Sequence, residues 1–411
     1  MNIPQGYKKT EIGIIPQEWK AKRLGTIAKC FSGGTPKSES EEMYGGTIPF
    51  IRSGEIHGDK TALYLTDDGL RKSSAKMVDV GDLIFALYGA NSGDCAISQI
   101  NGAINQAILC IRSSSVINSF LQPYLELQKD RFIAKYLQGG QGNLSGEIVS
   151  SYTIPVPLLA EQRKIAEILG VWDEAIEKLS RLIEKLELRK RALMQRLLTG
   201  RTRLPGFTAP WQKVKLGEIG TTYNGLIGKS KDDFESGNAK FVPYINVFSN
   251  EKIDINNLGC VKVDSGENQN KVKFGDIFFT ISSETPDEVG MASVLLEDLE
   301  NTYLNSFCFG YRLNDFEVLN PVFASYILRG DKFRKSIITL AQGSTRFNIS
   351  KSEVMKLRIE LPSLPEQKAI AEVLTAADNE IATHCKKLNA LRLQKRGLMQ
   401  QLLTGKTRVK I

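Results

Sequence analysis

Two histidines, His57 and His384, are all that the 411 residues contain. That scarcity leaves no visible constellation for a Ser/His/Asp triad or for histidine acid/base work. His384 falls on the apolar seam of a predicted helix, where a packed or rim histidine is expected. Six cysteines (Cys30, Cys95, Cys110, Cys260, Cys308 and Cys385) are scattered without a C-x-x-C pair. Reduced thiols in a cytosol fit that pattern better than a disulfide framework or a zinc site. No stretch approaches the roughly 18 uncharged apolar residues of a membrane span, and no apolar run follows the first lysines. A soluble, unexported, cytoplasmic protein is expected. Phosphate loops are missing too. Ile227-Gly228-Lys229-Ser230 and Gly405-Lys406-Thr407 imitate the end of G-x-x-x-x-G-K-[ST], but Tyr223 and Gln400 stand where the leading glycine belongs. With no G-x-G-x-x-G after a predicted strand, neither nucleotide hydrolysis nor a cofactor held by this chain has support.

What is present is length for two or three domains, 42% hydrophobic residues for their cores, and a net charge of +8. The charge is unevenly placed. Residues 1–159 carry 16 basic and 15 acidic groups and residues 204–364 carry 18 and 20. The excess lies in 160–203, with 11 against 7, and in 365–411, with 9 against 4.

Those two basic segments belong to an internal repeat. At an offset of 205, residues 154–203 match 359–408 without a gap, with 24 of 50 positions identical. Weaker echoes join the rest of each half: 18–27 with 210–219, 48–51 with 242–245, 81–85 with 275–279, 101–107 with 301–307, and 143–145 with 348–350. The chain is one unit written twice, with a period too long for a solenoid.

The repeated segment predicts a long helix. Ile165, Ile168, Trp172, Ile176, Leu179, Ile183, Leu186, Leu193 and Leu197 form a seam in steps of three and four, and the second copy keeps it from Ile370 to Leu402. Pro157 and Pro362 forbid an earlier start; Gly200 and Gly405 supply the glycine that ends a helix in the left-handed conformation. About 38 residues make a rod of roughly 57 Å, which cannot bury its own seam. Two such rods related by an internal two-fold axis are expected to pack antiparallel, with the intervening regions at opposite ends. Those regions, rich in Gly, Ser and short β-type runs with one helical stretch each (120–137 and 320–340), read as compact α+β domains. Basic clusters close both rods: Arg189, Lys190, Arg191, Arg196, Arg201 and Arg203, then Lys395, Arg396, Lys406, Arg408 and Lys410. They suit a solvated helix end complementing the dipole, or contact with phosphates or an acidic partner.

In these motifs the chain resembles the specificity subunits of Type I restriction-modification systems. The resemblance is carried by IPVPLLAEQRKIAEIL (154–169) with RALMQRLLTG (191–200), by IELPSLPEQKAIAEVL (359–374) with RGLMQQLLTG (396–405), and by FSGGTPKS (31–38), GGTIPFIRSGEI (45–56) and GDLIFALYGANSG (81–93) leading to INQA (104–107). It covers the whole chain. It implies an α+β architecture of two target-recognition domains, 1–153 and 206–358, separated by two long antiparallel coiled-coil helices, the central spacer 154–205 and the C-terminal spacer 359–411. It implies a non-catalytic reader of double-stranded DNA at a bipartite, asymmetric site, one half per domain. It further implies two adenine methyltransferase subunits carrying S-adenosylmethionine, and restriction subunits using ATP and Mg. The second domain departs most from the pattern: YNGLIGKS (223–230) replaces SGGTP, and INVFSN (245–250) the IRSGEI region.

Side chains suited to base edges are Arg, Asn, Gln, Ser and Thr presented from loops. The candidates are Arg52, Asn91, Gln106, Gln141 and Asn143 in the first domain, and Asn246, Ser283, Asn305, Arg346 and Asn348 in the second. Several sit in segments that echo between the halves and equally suit shared structural turns. Two rivals stand beside this reading: a DNA-independent adaptor with two protein-binding modules on a coiled coil, and a solitary enzyme with a cryptic site. Circular use of the repeat also predicts that Lys410 lies near the segment before Trp19.

Overall fold

A computed structural model gives the structure and describes residues 3–37, 39–136, 144–234 and 236–411. The chain divides into two compact units, Met1–Ser180 with Lys386–Ile411, and Arg181–Cys385. Each holds one globular region and part of both long helices.

The same sheet is built twice. In the first unit four strands lie in the order Ala28–Ser32, Ile108–Ser113, Leu83–Ala86, Cys95–Ile97; in the second the order is Gly220–Asn224, Cys308–Leu313, Ile277–Thr280, Ala292–Val294. The apolar runs LIFA and IFFT form strands buried at every residue because alternate side chains serve two cores. Leu83 and Phe85 pack with Phe120, Leu125 and Phe132 of the helix Asn118–Tyr136, while Ile84 and Ala86 face Ile51 and Ile104. In the second unit Ile277 and Phe279 join Phe309 and Phe323, and Phe278 joins Val242 and Leu304. A second sheet in each unit contains one parallel pairing, Ile104 with Ile51 in one and Leu304 with Val242 in the other. The helical stretch expected at 320–340 is two helices, Pro321–Ile327 and Asp331–Ile338. Between them the half-buried Arg329 spends its guanidinium on the carbonyls of Val247, Phe248, Asn250 and Ala292, at 2.6–2.9 Å.

The long helices are Leu159–Leu197 and Leu364–Leu402, 39 residues each. Every seam residue named above for the first is buried or half-buried. Their ends follow the expected rule: Gly200 and Gly405 have φ of 68° and 72°. Within each unit the two helices pair antiparallel. In the first, Asp173 meets Lys395 while Glu161 meets Arg408; in the second, Arg189 meets Glu380, Lys190 meets Asp378 at 2.7 Å, and Arg203 meets Glu366 at 2.6 Å.

The repeated Glu-Gln at each helix start has a distinct job for each residue. Glu161, fully buried, accepts from Trp19 Nε1 (2.7 Å) and from Arg408 Nε (2.6 Å) and Nη2 (3.1 Å). Glu366 accepts two bonds of 2.6 Å from Arg203. Gln162 takes the Ile117 amide and donates to the Ser115 and Pro157 carbonyls; Gln367 takes the Asn320 amide and donates to Val318 and Pro362. Trp211 packs over Gly200 as Trp19 packs over Gly405. The predicted proximity of the chain's first and last segments holds: Arg408 also bonds Glu18 at 2.7 Å, and the Tyr7 hydroxyl reaches the Lys406 carbonyl at 3.3 Å. About half of each basic cluster is therefore paired with the chain's own acids. Arg189, Lys190 and Arg203, then Lys395, Arg396 and Arg408, all face carboxylates of their own unit.

Candidate nucleic-acid interface

In each unit the loops that leave one edge of the two sheets meet, and the same backbone bonds hold them. Asn105 donates its amide to the Ile51 carbonyl and Asn305 to that of Val242, at 3.3 and 3.2 Å. Leu87 and Ile281 donate to the carbonyls of Ala107 and Phe307; Leu144 and Ile349 donate to those of Leu87 and Ile281. Gly33 and Gly225 cross these junctions so closely that a Cβ would lie 1.8 Å from the Ile104 carbonyl oxygen and 2.0 Å from that of Asn305. The tight crossing thus survives where the surrounding sequence changes from SGGTP to YNGLIGKS.

The candidate residues separate on this frame. In the first unit, Gln106 is exposed at the junction, and its side chain is met by the hydroxyls of Thr35 and Tyr88. Asn91 is half-buried and donates to the Ser53 carbonyl at 3.2 Å, which brings it beside Arg52. Arg52 is exposed, but Nε and Nη2 both go to the Glu55 carboxylate, at 3.1 and 3.0 Å. Burial opposes ionisation of Glu55. Bonds from Arg52, from the Ala62 and Arg52 amides and from Thr61 outweigh it and hold the carboxyl at about 2. Gln141 and Asn143 lie outside the described residues; next to them, Ser145 caps a short helix by accepting the Ile148 amide.

In the second unit two candidates are corrected. Asn246 is fully buried, donates to the carbonyls of Asp254 and Asn257 at 2.8 Å each, and accepts the Asp254 amide at 3.0 Å. Asn305 is 6% exposed, donates to the Val242 carbonyl and accepts the Phe307 amide, an Asx-type turn that Asn105 repeats with Ala107. Both build the loop junction and have no side-chain group left for a base. Ser283 and Asn348 lie in a two-stranded ribbon, Ser282–Ser283 with Phe347–Asn348. Ser283 donates to Glu288 at 3.2 Å, and the Asn348 side chain donates from Nδ2 to the Arg346 carbonyl at 3.4 Å. Arg346 stands exposed in the bend closed by the Gln342–Asn348 bridge, just before the strand Phe347–Asn348, with no ion pair among the described residues. Phe307, on a loop, and Ile245, in the short helix Tyr244–Ser249, are 63% and 56% exposed; the Tyr244 hydroxyl bonds the Ser282 carbonyl.

Lys29 and Lys76 were not singled out from the sequence. They flank the Phe31 ring at 5.9 and 5.7 Å, beside the loop that begins at Gly33. Only the strand register brings them together, since Ile104 pairs with Lys76 and Ile111 with Cys30. Among the described residues no group of His, Cys, Asp and Glu could hold a metal ion.

The family model for the Type I restriction modification DNA specificity domain matches this chain twice, over residues 16–188 and 209–393. The chain belongs to that family. Each match contains one loop junction and most of one long helix. Among relatives of the Type I specificity family, the MjaVIII specificity subunit of Methanocaldococcus jannaschii is 25% identical across 99% of this chain and 97% of its own length. The EcoR124I/EcoR124II specificity subunit of Escherichia coli is 25% identical over 42% of this chain and 45% of its own. The S subunit of the Type I system from M. genitalium shares the fold, with a TM-score of 0.56, 16% identity, and 98% of both chains covered. A structure described in connection with complex assembly and conformational transition of the Type I system gives 0.62, at 18% identity, over 96% of this chain and 99% of the other. No helix among the described residues is long and apolar enough to cross a membrane.

Proposed function

We propose that this chain reads a bipartite, asymmetric duplex DNA site for a Type I restriction-modification complex, with residues 1–153 reading one half and 206–358 the other. The observation that carries the reading is the loop junction built twice on one set of backbone bonds, with different side chains at its surface in the two copies. A constant frame with variable loops suits readers of unrelated half-sites. In the second domain the reader is the ribbon at 282–283 and 347–348, whose two-stranded width suits the major groove, with Arg346 as the free guanidinium for a guanine edge. In the first it is Gln106 with Thr35, beside the cations Lys29 and Lys76.

On this proposal the chain is cytoplasmic and catalyses nothing itself. The repeated spacers 154–205 and 359–411 offer docking surfaces to two methyltransferase subunits, which hold S-adenosylmethionine, and restriction subunits bring ATP chemistry. Exchange of residues 1–153 for those of a relative, followed by sequencing of methylated DNA from cells that co-express the methyltransferase, tests the division. One half-site is expected to change and the other to persist; simultaneous change of both halves would contradict it.

A further inference from the structure

The two units differ along one edge of their matching sheets. In the second unit the edge strand Ala292–Val294 is covered by the chain's own residues 251–253. Val294 donates its amide to the Glu251 carbonyl at 3.1 Å, Ile253 donates to the Val294 carbonyl at 3.0 Å, and Lys252 pairs with Val294 in parallel. Side chains lock this segment down. Glu251 meets Lys190 at 2.9 Å, and Lys252 donates to the Tyr326 hydroxyl at 2.6 Å. The Arg329 guanidinium holds the residues just before it through three carbonyls.

In the first unit no strand or bridge among the described residues covers the corresponding edge. Ile97 pairs with Leu83 as Val294 pairs with Ile277, so Ile97 stands where Val294 does. There the chain after residue 57 turns away from this edge. Thr61 bonds the Phe50 carbonyl, and Leu63–Leu65 pairs with the strand Tyr44–Ile51. What flanks Cys95–Ile97 is a cavity of about 550 Å³ lined by His57, Ala96, Ile97, Ser98, Gln99 and Gln122. Gln122 bonds Glu126 one turn along its helix at 2.9 Å, and beyond Glu126 a second cavity of about 460 Å³ reaches Asp173, Arg392 and Lys395. Asp173 and Lys395 are the counterparts, 205 residues earlier and later, of Asp378 and Lys190. Lys190 has two carboxylates, Asp378 and Glu251; Lys395 has Asp173 and, among the described residues, no second ion pair.

We propose that the open edge of Cys95–Ile97 is a docking site for an extended segment of a partner protein that carries an acidic side chain followed two residues later by an aliphatic one, as Glu251-Lys252-Ile253 does in the second unit. An exposed strand edge offers main-chain donors and acceptors in a fixed row, and an added strand satisfies them. The second unit shows the fit, a parallel strand whose carboxylate reaches the lysine on the long helix. Nucleic acid fits poorly for a geometric reason, because a sugar-phosphate backbone has no row of alternating amides and carbonyls to pair with a strand edge; charge does not decide it, since Lys129, Arg392, Lys395 and Arg396 line the far cavity beside Glu126, Asp130 and Asp173. The site does not depend on what the loops of either unit read.

The probe is the blocked heptapeptide SNEKIDI, the sequence of residues 249–255, added at millimolar concentration to the full-length protein while amide hydrogen exchange is followed. The Ile97 amide is expected to slow about tenfold with the Val294 amide unchanged. The peptide with Glu replaced by Lys, and the Lys395→Glu protein, should each lose most of that protection. Ile97→Pro, tolerated at an edge but lacking the donor, should abolish it; if that variant does not fold, Lys395→Glu decides. No slowing at residues 95–98, equal slowing by the charge-reversed peptide, full protection in Lys395→Glu, or protection of the same amides by duplex DNA would overturn the proposal.

Discussion

Asn246 and Arg346 were equal candidates for base contact, and the fold sets them in opposite environments, one buried and one exposed. Every polar atom of the Asn246 side chain is engaged in a dry loop junction. Asn246→Ala is therefore expected to lower stability by about 2–3 kcal/mol, seen as a lower denaturant midpoint with unchanged slope. Arg346→Ala should leave the midpoint alone and cost about 1–3 kcal/mol of discrimination at one base pair, read from methylation of sites differing at that position. Residue type suggested both; only burial separates them. Asparagine suits a base edge and a loop knot equally, and a one-dimensional pattern does not say which way the side chain points. Arg52 shows the same ambiguity, since its fork is already filled by Glu55. That pair also fixes a pH dependence. A carboxyl held at about 2 in the folded state contributes stability above its unfolded value, and this is lost as pH falls toward 2. The Glu55 carboxyl signal followed by NMR should titrate near about 2; a midpoint near the ordinary glutamate value would contradict the pairing.

Among the elements, the long helices were the most legible and their fastening the least. The 205-residue offset, the apolar seam, the proline before each start and the glycine after each end predict two rods of nearly the observed length. The basic residues at their ends looked available for phosphates or partners. Six of the eleven are not free, because folding within each unit carries them to acids far away in sequence. The Glu-Gln pair at each start was visible as a repeat, but its division of labour depends on residues some 45 positions upstream and 250 downstream of Gln162 and Glu161. Arg408→Ala would leave the buried Glu161 carboxylate with Trp19 alone, so a loss of about 3 kcal/mol in stability is expected. If thermal or denaturant unfolding of that variant matches the parent, the buried pair is not what fastens the first unit. The alternating cores behind LIFA and IFFT were legible as strands, although burial on both faces needs the second sheet to be known.

For the whole molecule, charge and repetition lead to one account. The two globular regions are close to neutral and the surplus positive charge lies on the long helices, where much of it is paired internally. The isolated chain should therefore hold duplex DNA weakly, with a shallow dependence of affinity on salt. A steep slope in a salt titration of the lone chain would mean that local cations such as Lys29 and Lys76 outweigh the segment totals. The central claim is that one chain carries two separate readers of different half-sites. Co-expression with the neighbouring methyltransferase, followed by genome-wide mapping of methylated adenines, tests it most directly. The account predicts methylation confined to one motif made of two unlike specified halves around an unspecified spacer. A single uninterrupted motif, two identical halves, or no methylation traceable to this chain would contradict it.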